Sequence, residues 1–272
     1  IIISGGIDVS VGAVVSASAC VMAMFMKQIS SSIVLAFLVS AVFGALLGCI
    51  NGLLVSALHI QPLVVTLGTY SIINGFMIYF TNGSWITGLP ENLIEFGRMR
   101  PFGIPIQAFF FAGTSVLTWF LLKRTLWGRG VYAIGGDEVS AERIGYKPAK
   151  IKFLLYTYFG FIAGISAVVH TSIMSQVDPN AFKGYEMTVI SAVVLGGVNI
   201  AGGFGGVFNV IIGTLFLGIT YNGLILMKVS SYWQNIVVGG IMLLAIAMDT
   251  LRKKRRISMK TVVDVEYPEN VR

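Results

Sequence analysis

Residues 33 to 58 read IVLAFLVSAVFGALLGCINGLLVSAL, a long run without a charged side chain. The run lies inside a longer segment, residues 28–90, that contains no Asp, Glu, Lys or Arg, and residues 187–227 are equally free of charge. A helix crosses the hydrocarbon core of a bilayer with about 20 mostly apolar residues, and it satisfies its own backbone hydrogen bonds there. The run therefore predicts a membrane-spanning helix.

The composition extends this prediction to the whole chain. Of its 272 residues, 56% are hydrophobic and 11% are charged, and the mean hydropathy is +0.83. Soluble domains carry roughly 25% charged residues, so a soluble globular fold is excluded. We expect an all-α, polytopic helical membrane protein with about eight membrane segments. The predicted segments are residues 9–26, 33–58, 63–81, 104–122, 153–175, 186–201, 207–227 and 231–248.

Basic residues predict the orientation of these segments. The loop 123–152 holds seven Lys and Arg residues and the tail after Met248 holds seven more, so both are expected in the cytoplasm. The loops 27–32, 82–103, 176–185 and 228–230 share only five basic residues, so they are expected outside. If both lie in the cytoplasm, the chain between the loop 123–152 and the tail crosses the membrane an even number of times. Either the short segment 186–201 crosses, or the orientation is wrong. Because the chain opens at Ile1 inside an apolar run and not at a Met, we also expect an N-terminal piece to precede it.

The sequence excludes several kinds of chemistry. Cys20 and Cys49 lie in apolar runs, and His59 and His170 each lack a second ligand at helical spacing. We therefore expect no disulfide framework, no metal site and no cofactor. No G-x-x-x-x-G-K-[ST] motif occurs, so any ATP must be hydrolysed by another subunit. The net charge of +7 comes from clustered loop residues, which indicates membrane orientation and not a nucleic-acid partner.

Small residues recur every four positions in the second predicted span. This spacing puts them on one helix face, where a neighbouring backbone can approach closely. The predicted packing residues are Ser40, Gly44, Gly48, Gly52 and Ser56. Gly160 and Gly164 repeat the spacing in a later span.

The span centres carry polar but neutral side chains and no ionisable ones. Ion-coupled carriers and intramembrane enzymes usually place ionisable groups at this depth, so both classes are disfavoured. Neutral polar groups suit hydrogen bonding to a neutral solute, and hydrogen bonds between helices are an equally open alternative. The predicted pathway residues are Asn51, Thr66, Thr69, Asn74, Asn222 and Gln234, with Thr220 as a further member of the neutral polar set.

The segment TLWGRGVYAIGGDEVSAERIGYKPAKIK, residues 125–152, predicts a short cytoplasmic helix. Asp137 is placed to cap its first turn, Glu138 follows in that turn, and Gly145 suits the left-handed residue after its end. These features predict a helix over about 138–144. Two turns are too short to be stable alone, so the helix must dock. A cytoplasmic partner is one dock, and packing against its own bundle is the alternative.

Four motifs in order along residues 1–251 point to a known family. They are SGGIDVSVG (4–12), GRGVYAIGGDEVSAERIG (128–145), GYEMTVISAVVLGGVNIAGG (184–203) and NGLILMKVSSYWQ (222–234). The chain resembles the permease subunits of bacterial ABC importers for ribose and related monosaccharides. The resemblance implies two permease chains, as a homodimer or heterodimer, two separate ATP-binding subunits and an extracytoplasmic sugar-binding protein.

The resemblance also implies that the short helix couples the permease to the ATPase. The coupling residues it implies are Arg129, Gly136, Asp137, Ala141, Glu142 and Gly145. Of these, Ala141 is expected to face the partner. We expect residues 1–251 to form one transmembrane permease domain, with a coupling loop at about 123–152, and residues 252–272 to form a basic cytoplasmic tail.

The resulting prediction is a permease subunit in the bacterial inner membrane. It translocates a monosaccharide, ribose or a related sugar, by alternating access while ATP is hydrolysed elsewhere, and it is not itself an enzyme. The alternative is a self-contained secondary carrier for a neutral polar solute, which the absent mid-membrane charges and the capped cytoplasmic helix disfavour.

Overall fold

The computed structural model describes residues 1–234, 236–241, 243, 244 and 247. Regular structure in this part of the chain is helical apart from one bridging pair, Ile86 with Val177. The helices are α1 (Val11–Gln28), α2 (Ile33–Ser56), α3 (Pro62–Thr81), α4 (Glu91–Arg98), α5 (Ile106–Arg124), α6 (Leu126–Gly136), α7 (Glu138–Arg143), α8 (Pro148–Met174), α9 (Tyr185–Leu195) and α10 (Val207–Leu226). Residues 231–234 and 236–241 are helical too.

The chain divides into two compact units. The first comprises Ile1–Thr188 and Val198–Val207 and contains α1 to α8. The second comprises Val189–Gly197 and the described residues from Phe208 onward, so it holds most of α9 and α10. Within the second unit, a Cβ added to Gly213 would overlap the carbonyl oxygen of Ala192 and stand 3.1 Å from Cα of Gly196. Helices α9 and α10 therefore pack closely at these small residues.

Among the described residues, six helices are long and apolar enough to cross a membrane. They are α1, α2, α3, α5, α8 and α10, and they match six of the predicted segments to within a few residues. Helix α9 has 11 residues, about 16 Å of helix, which is short of a hydrocarbon core of about 30 Å. The predicted crossing by 186–201 is thus not made by this helix alone. Segment 231–248 extends outside the described residues, so the total of eight stays a prediction.

Local chemistry sets the ends of the spanning helices. Pro62 and Pro148 lie in the first turns of α3 and α8, where a missing N–H removes no helical hydrogen bond. The residues that follow α3 and α8 are Asn82 and Ser175, both in the left-handed conformation with φ of 50° and 58°. Such residues stop a helix by redirecting the chain, which separates each span from its following loop.

Helices α2 and α8 pack through small residues on both sides. A Cβ added to Gly44 would stand 3.1 Å from Cα of Gly164, and one added to Gly48 would stand 3.1 Å from Cα of Gly160. Ser40 Oγ donates to the carbonyl oxygen of Gly164 at 2.7 Å. Gly160 and Gly164 are therefore the counterpart of the small-residue stripe on α2, which comprises Ser40, Gly44, Gly48, Gly52 and Ser56. Sequence spacing did not specify this pairing.

The last two residues of the stripe lie towards the end of α2. A Cβ added to Gly52 would stand 2.9 Å from the carbonyl oxygen of Phe153 on α8. Ser56, one turn further, is buried. The close approach of the two helices thus extends over at least three turns of α2, from residue 40 to residue 52.

Residues 82–103, expected to be an external loop, also contain α4. Leu93 on this helix is fully buried, and the ring of Phe96 packs edge-on against Phe37 and Phe110 with centroids 5.7 and 5.9 Å apart. The helix has eight residues and a polar outer face, so a search for spans of about 20 apolar residues passes over it.

Candidate functional site

Helix α7 is capped at both ends as the sequence predicted. The Asp137 side chain accepts hydrogen bonds from the backbone N–H of Val139 at 3.2 Å and from Ser140 Oγ. At the other end Gly145 has φ of +96°, and the N–H of Tyr146 donates to the carbonyl oxygen of Ala141 at 3.1 Å. This closes the last turn in the pattern that left-handed glycines allow. The hydrogen bonds from Ser140 and Val139 lower the pKa of the Asp137 carboxyl from its usual value.

One side of α7 docks on the protein itself. Ala141 is 2% exposed and belongs to a buried cluster with Val131, Ile134, Ile151 and Leu155. Ala141 therefore faces its own protein, which corrects the expectation that it faces a partner. Its small methyl side chain lets the short helix lie close to α6 and α8.

The opposite side of α7 is open. Val139 and Ile144 are 58% and 74% exposed, and Glu142 and Arg143 are exposed beside them. Val139 and Ile144 thus present apolar surface, beside charged side chains, on the part of the α7 region that the protein itself leaves uncovered. Of the remaining predicted coupling residues, Arg129, Gly136 and Gly145 are exposed as well.

Helix α6 precedes α7 and was not predicted. Thr125 caps it by accepting from the N–H of Gly128 at 3.0 Å. A Cβ added to Gly130 would stand 2.6 Å from Ile151 Cδ1, and one added to Gly135 would stand 2.7 Å from the N of Gly203. The glycines therefore let α6 lie against its neighbours. Glycines also lower helix propensity, so the sequence alone does not predict a helix here.

The first residues of α8 attach to α7. Lys152 Nζ pairs with the Glu138 carboxylate at 2.7 Å, and this is the one ion pair among the residues that the structure describes. Both side chains are partly exposed, so the pair contributes at most about 1 kcal/mol. The ion pair joins the first residue of α7 to α8, the helix that packs along α2. It therefore links the short helix to the spanning helices.

The structure brings together two of the six predicted pathway residues. Asn51 on α2 and Thr66 on α3 both contact the segment before α1: Asn51 Nδ2 donates to Ser10 Oγ at 2.9 Å, and Thr66 Oγ1 accepts from the N–H of Val9 at 3.2 Å. Ser10 in turn donates from N and Oγ to Asp8 Oδ1 at 2.7 and 2.6 Å. The two residues thus take part in a buried polar network.

The other members of the neutral polar set lie apart from this network. Thr69 and Thr220 donate to carbonyl oxygens of their own helices, and Gln234 Nε2 donates to the carbonyl oxygen of Val229 at 2.9 Å. Asn74 is half-buried on α3, and Asn222 is exposed on α10. In the structure, Thr69, Thr220 and Gln234 therefore make hydrogen bonds within the protein, and their contact with a solute stays a prediction.

Sequence reasoning missed Asp8, Ser10 and Tyr156 as members of this buried region. Asp8 is 8% exposed and Tyr156 is 2% exposed. An Asp-x-Ser pattern directly before an apolar run is a helix-start signal, and it was available in the sequence. That Asn51 and Tyr156 come from different helices and meet the same segment is a tertiary fact that no local pattern carries.

Comparisons with known protein families and with individual proteins both find transport permeases. The profile of a family described as "Branched-chain amino acid transport system / permease component" matches residues 1–246. The chain is 38% identical over 257 residues to the ribose import permease protein RbsC of Bacillus subtilis (strain 168), an alignment that covers 93% of this chain and 79% of that protein.

Two further relatives carry the names of other sugars. The D-allose transport system permease protein AlsC of Escherichia coli (strain K12) is 34% identical over 256 residues, with 93% of this chain and 78% of that protein covered. The L-arabinose ABC transporter permease protein AraH of Azospirillum brasilense is 32% identical over 256 residues, with 94% and 75% covered. No solved structure matches the chain.

Proposed function

The chain belongs to the family of permease components of branched-chain amino acid transport systems, and from this premise we propose that it is the membrane-spanning subunit of an ATP-driven monosaccharide importer. The observation that carries the proposal is similarity over more than nine-tenths of the chain to permeases named for ribose, allose and arabinose. The chain is a multi-pass membrane protein and a permease component, not an enzyme, and ATP hydrolysis belongs to a separate subunit.

The open face of α7 is the proposed contact with an ATP-binding subunit. Ala141 and the ion pair of Glu138 hold the helix on its own protein, which leaves Val139 and Ile144 free to enter a partner's groove. Displacement of α7 then moves α8 through Lys152. Since α8 packs closely along α2, a push at α7 reaches the spanning helices as a rigid-body movement.

Co-purification with the ATP-binding subunit tests this role. Ile144→Glu puts a charge on the exposed apolar side chain, and we expect recovery of the ATP-binding subunit to fall at least about tenfold while membrane levels stay normal. Phe102→Glu is a matched control, because Phe102 is 96% exposed and lies in the segment predicted to be outside. Equal recovery with Ile144→Glu and with the control means that α7 does not bind the ATPase.

The other assignments follow from the same family premise. We propose that a second permease chain, identical or related, completes the pathway and that an extracytoplasmic binding protein delivers a sugar of the ribose type. The inner membrane is the proposed location, with α7 and the basic tail on the cytoplasmic side. The tail lies outside the described residues, and its orientation rests on its lysines and arginines.

A self-contained secondary carrier is the less favoured alternative. Relatives that are named as import permeases or ABC transporter permeases do not support it. The exposed apolar side chains of Val139 and Ile144 also suit a contact with an ATP-binding subunit, which a self-contained carrier does not require. Uptake that continues in cells after the ATP-binding subunit is deleted would revive this alternative.

A further inference from the structure

Residues 176–185 were expected to form an external loop, but this segment runs in among the spanning helices. At its start, Val177 exchanges two backbone hydrogen bonds with Ile86, at 2.9 and 3.0 Å. Five residues later, the carbonyl oxygen of Phe182 lies 2.5 Å, and its Cβ 3.2 Å, from the position of a Cβ added to Gly12. The backbone at Phe182 therefore lies against the first turn of α1.

This contact fixes the depth of the segment in the membrane. Lys27, near the other end of α1, is 15 residues from Gly12, which is about 22 Å of helix. In the opposite direction, Ser10 accepts from Asn51, which lies five residues before the end of α2 at Ser56, so Gly12 is about 10 Å from that end. Both distances place the contact inside a hydrocarbon core of about 30 Å.

Lys183 follows Phe182 directly, and its side chain is exposed. A charged side chain that faces hydrocarbon is strongly unfavourable, and ionisable residues at membrane depth usually face the interior of a bundle or a water-filled cavity. A lysine side chain spans roughly 6 Å, which is shorter than the distance from Gly12 to either helix end. The ammonium group of Lys183 therefore meets water or another polar group within the membrane.

The backbone around Lys183 is irregular at this depth. Residues 179–184 form successive turns, in which the N–H of Ala181 donates to the carbonyl oxygen of Asp178 and the N–H of Lys183 to that of Asn180, both at 3.1 Å. Non-helical backbone at membrane depth occurs where it is buried in protein or lines a water-filled cavity. Because Lys183 is exposed, this segment fits the second case.

We propose that Lys183 lies on the water-filled pathway that the solute follows through this permease, where its ammonium group donates hydrogen bonds to hydroxyl oxygens of the sugar. An ammonium group has three donors and no acceptor, which suits the lone pairs of a polyhydroxyl solute. The contact with a sugar rests on the proposed function, whereas the position of Lys183 on a water-filled pathway does not.

A dry contact with another protein chain is the competing explanation for an exposed lysine at this depth. A second permease chain that covers Lys183 would leave its side chain away from water in the assembled protein. The two arrangements differ in whether a water-soluble reagent reaches position 183 in the membrane, so the test uses the full chain in its native membrane.

Reaction of single cysteines with a charged, impermeant thiol reagent measures this access. Cys20 and Cys49 are first replaced by alanine, and the reagent is supplied to both faces of the membrane by freeze–thaw. Lys183→Cys should react at least about tenfold faster than Val116→Cys, because the thiolate that reacts forms in water and not in hydrocarbon. Val116 is the matched control, since it is 63% exposed and apolar in the middle of α5.

The rate at Gly136→Cys gives the value for a position outside the membrane, because Gly136 is exposed and a Cβ added there meets no atom within 4 Å. A rate at position 183 as low as that at position 116 overturns the proposal, because lipid or protein then covers the residue. The reaction needs neither sugar nor ATPase, so this result does not depend on the proposed function.

Uptake of labelled ribose tests the contact with the solute. Lys183→Met keeps the length of the side chain and removes its donors, so ATP-driven uptake should fall several-fold while membrane level and recovery of the ATP-binding subunit stay normal. Lys183→Arg keeps a charged donor and should retain most of the uptake. Wild-type uptake by Lys183→Met would overturn the solute contact. Absence of ATP-driven uptake in the wild-type protein would contradict the proposed function, and the thiol reaction would still decide whether Lys183 lies on a water-filled pathway.

Discussion

Gly48 lies in the close contact between α2 and α8, so Gly48→Leu tests whether small residues hold these two helices together. Even the Cβ of the new side chain would overlap the carbonyl oxygen of Tyr156 and stand 3.1 Å from both N and Cα of Gly160. These neighbours are backbone atoms, which cannot swing away as a side-chain end can. The two helices must therefore separate to admit the leucine.

The size of the effect follows from what the separation breaks. Overpacking of a close interface typically is destabilising by about 1–3 kcal/mol. Separation also weakens the hydrogen bond from Ser40 Oγ to Gly164, which contributes about 1 kcal/mol. A total near 2–4 kcal/mol corresponds to a fall in apparent Tm of about 5–12 °C for a chain of this length.

Apparent Tm of the detergent-solubilised protein measures the effect directly. Gly75→Ala on α3 is the control for changing a helical glycine, because a Cβ added to Gly75 meets no atom within 4 Å. This control should keep the Tm or raise it slightly through better helix propensity. A Gly48→Leu protein with wild-type Tm and membrane level would show that the reasoning about this interface is wrong.

Three other outcomes are expected. Asp137→Ala removes the cap of α7, at a typical cost of about 1 kcal/mol, and should speed backbone hydrogen exchange in α7 and slow sugar uptake without abolishing it. The pKa of the Asp137 carboxyl is lowered in the folded protein, so the ionised cap is intact at neutral pH and is lost as pH falls through that lowered pKa. Backbone hydrogen exchange in α7 should therefore rise through loss of the cap only under acid conditions. The topology can be tested with single cysteines after Cys20 and Cys49 are replaced by alanine. A cysteine at position 136 should be shielded from an impermeant thiol reagent added outside intact cells, whereas one at position 84 should react. The reverse pattern would show that the predicted orientation is wrong.

Long apolar runs and strong caps were the features that the sequence made readable. The six spanning helices needed only hydropathy, because the bilayer imposes a length of about 20 apolar residues on each. Helix α7 was readable from Asp137 and Gly145, since both act within a few residues of their own positions. Helices α4 and α6 were not, because their stability comes from packing at Leu93 and at glycines whose neighbours are distant in sequence.

Side-chain direction was the part that spacing left undetermined. Ala141 points into its own protein because a short helix needs a small residue at the docking side, and the same helix pattern fits either orientation. Asn51 and Thr66 were predicted as pathway residues because they are polar and neutral within apolar spans. Their common partner, the segment of Asp8 and Ser10, became visible only when α1, α2 and α3 were placed together.

Uptake of labelled ribose into proteoliposomes is the most direct test of the central claim. The vesicles contain the full-length permease and its ATP-binding subunit, with ATP inside and the binding protein outside. We expect the sugar to accumulate against its gradient when ATP is present, to stop accumulating without ATP, and to fail with Ile144→Glu at normal protein levels. Accumulation that needs no ATP-binding subunit and follows an imposed ion gradient instead would contradict an ATP-driven permease.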